Sequence, residues 1–162
     1  MPKAEHPMTS GARALQAQKI AFVAHLYPYV EHGGTKHAAS CLGVDEHAVI
    51  KTLVMEAEGA KAFLVLMHGD REVSTKNLAR ALGMKTVVPC EAEKAERVTG
   101  YQVGGISPFG TRQALTVYVQ ASIMALPRIF INGGKRGFLV EIAPADLGKA
   151  LAVKEVDVAI GV

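Results

Sequence analysis

Two glycine-rich stretches and one lysine are the residues of this chain best suited to chemistry. Residues 100–110 read Gly-Tyr-Gln-Val-Gly-Gly-Ile-Ser-Pro-Phe-Gly, placing four glycines, a serine and a proline in eleven positions. Adjacent glycines carry no Cβ, so successive backbone N–H groups can approach one ligand closely and converge on it. Pro108 fixes its own φ and drives Ser107 towards an extended conformation, which stiffens the loop. A second turn, Asn132-Gly133-Gly134-Lys135-Arg136-Gly137, carries two cations. Such groups bind anions or stabilise charge that develops on a carbonyl oxygen. A tight structural turn is the competing reading of any Gly/Pro cluster.

Three familiar loops do not fit. Gly105 and Gly110 have the spacing of a phosphate-binding loop, but Thr111 and Arg112 follow where Lys and Ser/Thr are needed. A nucleophile elbow requires Gly-x-Ser-x-Gly and an N–H on the residue after the serine. Around Ser107 the last glycine is Phe109, and Pro108 has no N–H to give. Gly-x-Gly-x-x-Gly does not occur.

Lys51 stands in Val-Ile-Lys-Thr-Leu-Val-Met, residues 49–55. As a strand, this run puts Val49, Lys51, Leu53 and Met55 on one face and Ile50, Thr52 and Val54 on the other. A lysine among apolar neighbours either snorkels to water or is held in a pocket.

The elements that must position these groups read as one α/β domain spanning residues 1–162, with residues 1–8 a disordered tail. Thr9 or Ser10 caps a helix to about Lys19. Strands are expected at 20–26, 49–55, 62–67, 86–88, 115–119, 128–131, 138–142 and 156–162. Thr35 caps a helix that ends at Gly43, and Ser74 caps one that runs to Leu82 and closes at Gly83. Residues 91–98 have helical composition, and Pro144 suits the first turn of a last helix through Leu151.

At 162 residues, 49% apolar and 20% charged, the chain has the size and balance of one globular domain. It has no membrane-length apolar run and no signal-like N-terminus, which suggests a cytoplasmic protein. Cys41 and Cys90 have no metal-site or disulfide spacing, and the histidines show no ligand pattern. The net charge is +3, but no acidic residue lies between Glu96 and Glu141, where Arg97, Arg112, Arg128, Lys135 and Arg136 all fall. A one-sided positive field around backbone donors suits a polyanion; a solvated basic face is the alternative.

Several of these motifs, in order, resemble the YbaK/EbsC family, which is related to the prolyl-tRNA synthetase editing domain. They are Val-Ile-Lys51-Thr52-Leu, the stretch from Thr99 to Gly110, Gly133-Gly134-Lys135-Arg136-Gly137, and Glu141-Ile-Ala-Pro144-x-Asp146-Leu147. The resemblance covers about residues 20–151. It implies an α/β fold with a mixed, largely antiparallel sheet surrounded by helices. It further implies trans-editing hydrolysis of a mischarged aminoacyl-tRNA, Cys-tRNA(Pro)/Cys-tRNA(Cys) or Ala-tRNA(Pro), with no metal, no cofactor and no protein nucleophile. Lys51, Gly104 and Gly105 would be catalytic. Tyr27, Thr52, Ser107, Pro108, Phe109, Asn132, Gly134 and Lys135 would bind the aminoacyl end, and Arg112 and Arg136 the tRNA backbone. A prolyl- or cysteinyl-tRNA synthetase is the implied partner. Thr52 resembles the Cys-deacylating branch, whereas the Ala-specific branch places Asn there. Asn132 departs from the family's usual Ser. Activity on another aminoacyl ester, or a non-catalytic tRNA- or synthetase-binding module, are the alternatives.

Overall fold

The computed structural model describes residues 6–58 and 60–161. Its centre is an eight-stranded mixed sheet. In chain order the strands are β1 (Val23–Leu26), β2 (Val49–Ala57), β3 (Ala62–His68), β4 (Glu72–Val73), β5 (Val87–Pro89), β6 (Val117–Gln120), β7 (Ile129–Lys135), β8 (Phe138–Ile142), β9 (Val153–Val156) and β10 (Ala159–Ile160). The spatial order is β1-β8-β7-β2-β3-β6-β9, with β5 also pairing β2, while β4 and β10 form a separate ribbon. The pairs β1–β8, β7–β8, β2–β3 and β2–β5 are antiparallel; β2–β7, β3–β6 and β6–β9 are parallel.

Every residue of β3 is buried. A central strand covered on both faces reads as a continuous apolar run, not an alternating one, because helices lie above and below it. On one face, α1 (Ser10–Ala17), α4 (Ala92–Thr99) and α5 (Ala145–Ala150) send Leu15, Val98 and Leu147 onto Leu64, Leu66, Val119 and Ile131. On the other face, α3 (Thr75–Leu82) sets Leu78 and Ala79 on Met55, Phe63 and Val65. Beside it, α2 (Gly34–Leu42) packs Ala38 and Ala39 on Val49, Phe130 and Leu139. Among the described residues no helix is long and apolar enough to cross a membrane.

Several boundaries differ from the sequence reading, each for a local reason. Residues 1–5 of the expected tail lie outside the described residues, but His6 is placed, with its ring stacked on Phe138 at 5.6 Å and edge-on to Phe22. Residues 20–22 precede β1 because Ile20 N–H closes the end of α1 on Leu15 O. Thr35 does not cap α2; Gly33 holds that position, and the Thr35 hydroxyl donates to Glu46 Oε2 at 2.8 Å. Of the expected last strand, 156–162, residue 162 lies outside the described residues, and 156–161 hold only the end of β9 and the short β10, because buried Gln120 accepts the Val158 and Ala159 N–H groups between them. Thr9 caps α1 and also donates its hydroxyl to Gly133 O, tying the first helix to the second glycine turn.

Candidate functional site

β2 and the β7–β8 hairpin, α2, the residues 27–34 and the 100–110 loop enclose a cavity of about 330 Å³. It lies where β2 and β7 part beyond the Ile50–Ile131 pair, so residues from both faces of β2 line it, Val49 and Lys51 from one and Ile50 and Thr52 from the other. Lys51 and Thr52 from β2, Gly104 from the loop, Asn132 from β7 and Tyr27 line it. The structure thus brings together five of the residues singled out in the sequence.

Lys51 is 21% exposed, and its Nζ stands 3.5 Å from Glu72 Oε1, so it reaches out of the sheet without being fully solvated. Thr52 points the other way along the strand, and its Oγ1 is buried with no hydrogen-bond partner among the described residues. Tyr27 has its phenol pKa raised, first by burial and then by Tyr29 and Cys41, which keeps the hydroxyl protonated.

The 100–110 loop is held rigidly by its own groups. Tyr101 is buried and donates its hydroxyl to Phe109 O, and Val103 N–H donates to Glu96 Oε2 at 2.7 Å. Gly104 has φ +93, and a Cβ there would sit 2.5 Å from Tyr29 Oη. Only glycine lets the loop pass so close to that phenol. Gly104 N–H has no acceptor among the described residues, whereas Gly105 N–H already donates to Gln102 O at 2.8 Å. Of the two expected carbonyl-oxygen donors, one is free and the other is occupied in the turn. Gly105 instead lets the loop lie against the hairpin backbone, since its Cβ would meet Arg136 N at 2.6 Å.

The remaining predicted residues lie off the cavity wall. Ser107 is fully buried and its Oγ accepts the Phe109 N–H at 3.1 Å, a side-chain turn that shapes the loop. Phe109 is in the main core, and Pro108 beside it is buried. Gly134 has φ +111 and packs under Tyr101. Lys135 and Arg112 are exposed outside the cavity, and Arg112 lies along Gly100 at the end of α4. Arg136 Nε donates to Val103 O at 2.8 Å, and its guanidinium lies 4.9 Å from the centre of the Tyr29 ring. It clamps the loop, the hairpin and Tyr29 together.

Asn132 also acts as a clasp. Its Oδ1 accepts the N–H groups of Gly134 and Lys135 at 2.6 and 3.1 Å, and its Nδ2 donates to Gly104 O and Lys135 O at 3.4 and 3.3 Å. The amide is spent on backbone at the β7–β8 bulge.

Sequence reasoning missed Tyr29, Thr35 and His37 on the wall. His37 Nε2 donates to Pro28 O at 2.7 Å and packs edge-on to Tyr27, fixing the irregular 27–29 segment. The Tyr-Pro-Tyr run was the available signal, since aromatic residues around a proline read as a rigid non-sheet wall. Among the described residues the wall carries no cysteine, serine or carboxylate. No group of three or more His, Cys, Asp or Glu side chains among the described residues is placed to hold a metal ion. What the wall carries chemically is a cation, two threonines, two histidines, two tyrosines and a glycine N–H without an acceptor among the described residues.

A helix-covered mixed sheet with a glycine loop against its β7–β8 hairpin is the fold of an aminoacyl-tRNA editing domain. Residues 33–150 match the family described as the aminoacyl-tRNA editing domain, and the chain belongs to it. It is 28% identical over 137 residues, 84% of each chain, to EbsC of Enterococcus faecalis, named as a candidate Cys-tRNA(Pro)/Cys-tRNA(Cys) deacylase. It is 29% identical over 86 residues to the proline–tRNA ligase of Brachyspira hyodysenteriae, covering 53% of this chain and 15% of that enzyme. Its fold is that of a solved candidate trans-editing enzyme for prolyl tRNA synthetase, with TM-score 0.83, 23% identity, and 98% and 100% of the two chains covered.

Proposed function

We propose that the cavity binds the 3′-terminal aminoacyl-adenosine of a mischarged tRNA and releases the amino acid, with cysteine on tRNA(Pro) or tRNA(Cys) the preferred substrate. The carrying observation is the wall itself: a lysine and a glycine N–H without an acceptor, and, among the described residues, no cysteine, serine or carboxylate to attack the ester. An aminoacyl ester is already reactive, so binding and orientation can supply much of the acceleration. Gly104 N–H stabilises the negative charge that forms on the carbonyl oxygen, and Lys51 holds the ester or the terminal phosphate.

With cysteine bound, its own thiolate attacks the ester carbon. The new S–C bond forms, the C–O bond to the ribose breaks, and the ribose oxygen takes the proton the thiol gave up. Water then opens the thiolactone. A thiolate is a far better nucleophile near neutral pH than an alcohol lacking a base, so serine esters should react much more slowly. The partners are the aminoacyl-tRNA acceptor end and a prolyl- or cysteinyl-tRNA synthetase, in the cytoplasm. The EbsC likeness favours cysteine over alanine, as does Thr52.

The test is deacylation of Cys-, Ala- and Ser-charged tRNA(Pro) by the wild type and by Lys51→Ala. We expect Cys to be released fastest. Lys51→Ala should lose about 2–4 kcal/mol of transition-state stabilisation, on the scale of losing one oxyanion donor. Full activity in a folded Lys51→Ala protein, equal rates on Cys and Ser esters, or a trapped acyl-enzyme would overturn the reading.

A further inference from the structure

A second concave site lies between α3 and β5, on the face of the sheet that α2 and α3 cover. Thr75, Lys76, Arg80, Met84, Lys85 and Thr86 line it, with a cavity of about 440 Å³. All three cations are exposed, and none forms an ion pair with a described residue. From Val73 to Cys90 the sequence contains no acidic residue, so this short segment carries three positive charges unopposed. Glu58 meets the groove's edge through its backbone, its N–H donating to Thr86 O at 3.3 Å.

This arrangement is unfavourable for the fold alone. Lys76 and Arg80 are four residues apart on α3, where like charges repel and weaken a helix. Lys85, just past the helix end, lines the same groove. Cations gathered in a concavity beside two hydroxyl donors, with no acid to neutralise them, are what a phosphodiester backbone would compensate.

The start of α3, at one end of the groove, follows Glu72, whose carboxylate approaches Lys51. Lys51 Nζ meets Glu72 Oε1 at 3.5 Å, and Ser74, two residues later, caps α3. The basic face expected from sequence at residues 97–136 is by contrast dispersed. Arg128 is paired to Glu141, and Arg136 is bonded to Val103 O.

We propose that the α3–β5 groove is an RNA-binding track that holds the phosphate backbone of the tRNA acceptor arm while its 3′ end occupies the cavity at Lys51. The proposal rests on the deacylase reading for the identity of the RNA, but its test does not need deacylation. The probe is uncharged tRNA(Pro), with affinity measured by fluorescence anisotropy from 50 to 200 mM salt. The variant is Lys76→Gln/Arg80→Gln/Lys85→Gln. The comparison is Arg13→Gln/Lys19→Gln/Lys149→Gln, which removes the same charge from α1, its end and α5 on the opposite face.

Loss of three phosphate contacts should flatten the log Kd against log salt slope by about 2.7, at about 0.9 per contact. Across the fourfold salt range the wild type then loses about 40-fold more affinity than the groove variant, from the same constant. The groove variant should also raise KM for aminoacyl-tRNA with little change in kcat, whereas the opposite-face variant keeps the wild-type slope. Equal slopes for the wild type and the groove variant overturn the proposal, as do equal losses in both variants, which would report net charge alone. Retained tRNA affinity with lost binding of prolyl-tRNA synthetase would give the groove to a protein partner and also overturn it. A wild type that binds tRNA through the groove but releases no amino acid refutes the deacylase reading and leaves the track standing.

Discussion

Replacing Thr52 by Val separates stability from activity at the candidate site. Thr52 Oγ1 is buried on β2 without a hydrogen-bond partner among the described residues, so the folded state bears the cost of removing it from water. An unsatisfied buried hydroxyl costs about 1–3 kcal/mol. Valine keeps the branched shape that suits a strand and removes the polar atom. Thr52→Val should therefore stabilise the protein by about 1–3 kcal/mol, which for a domain of this size raises Tm by about 2–12 °C. If the hydroxyl serves the substrate, the same variant loses deacylation rate. Thr52→Ser is the counterpart: it keeps the hydroxyl, loses one methyl group at a cost of about 1 kcal/mol, and should retain most activity. Thermal unfolding and single-turnover deacylation on the three proteins decide the matter. A lower Tm for Thr52→Val would mean that the hydroxyl is already bonded in the folded protein. A higher Tm with unchanged turnover would remove Thr52 from the substrate site.

Gly105→Ala should cost about 1–3 kcal/mol and impair turnover, because its Cβ would press on the Lys135 and Arg136 backbone and drive the loop from the hairpin; a variant with wild-type Tm and rate would contradict this close approach. Cys41→Ala and Cys90→Ala should keep turnover, as neither lines the cavity, and the Cys90 thiol is pushed up to about 12 by burial and Glu56. Ser107→Ala should lose about 1–3 kcal/mol by leaving the Phe109 N–H unpaired, yet remain active once folded; an inactive but stable Ser107→Ala would restore the serine to the chemistry. His68 is buried against Ser122 Oγ and His47 O, and burial lowers its pKa below the ordinary histidine value. The unfolded chain therefore binds this proton first as pH falls. Stability is full above about pH 6.5 and declines below it towards the depressed folded pKa, by at most about 1.4 kcal/mol per pH unit. His68→Gln should flatten that part of the unfolding curve, and an unchanged acid limb would refute the assignment.

How much of the site was legible follows from the range over which each signal acts. Lys51 could be placed on a strand face because alternation is local, and the glycine turns because positive φ is a property of single residues. What a glycine is for was not legible. Gly104 and Gly105 look alike in sequence, yet one N–H is free and the other is spent on Gln102 O. That difference is set by how the loop folds back, not by residue type. Asn132 and Arg136 carry the same lesson. Both read as ligand contacts, and both bond to backbone across the two glycine turns, 33 or fewer residues apart in sequence but adjacent in space. Charge shows a related limit. Counting along the chain favours residues 97–136, where opposing partners such as Glu141 come from the end of the stretch itself. The denser groove at Lys76, Arg80 and Lys85 is assembled by a helix, its return and a strand, so its concavity exists only in the fold. Residue types thus announce where chemistry is available, and long-range pairing decides which of those groups are still free to perform it.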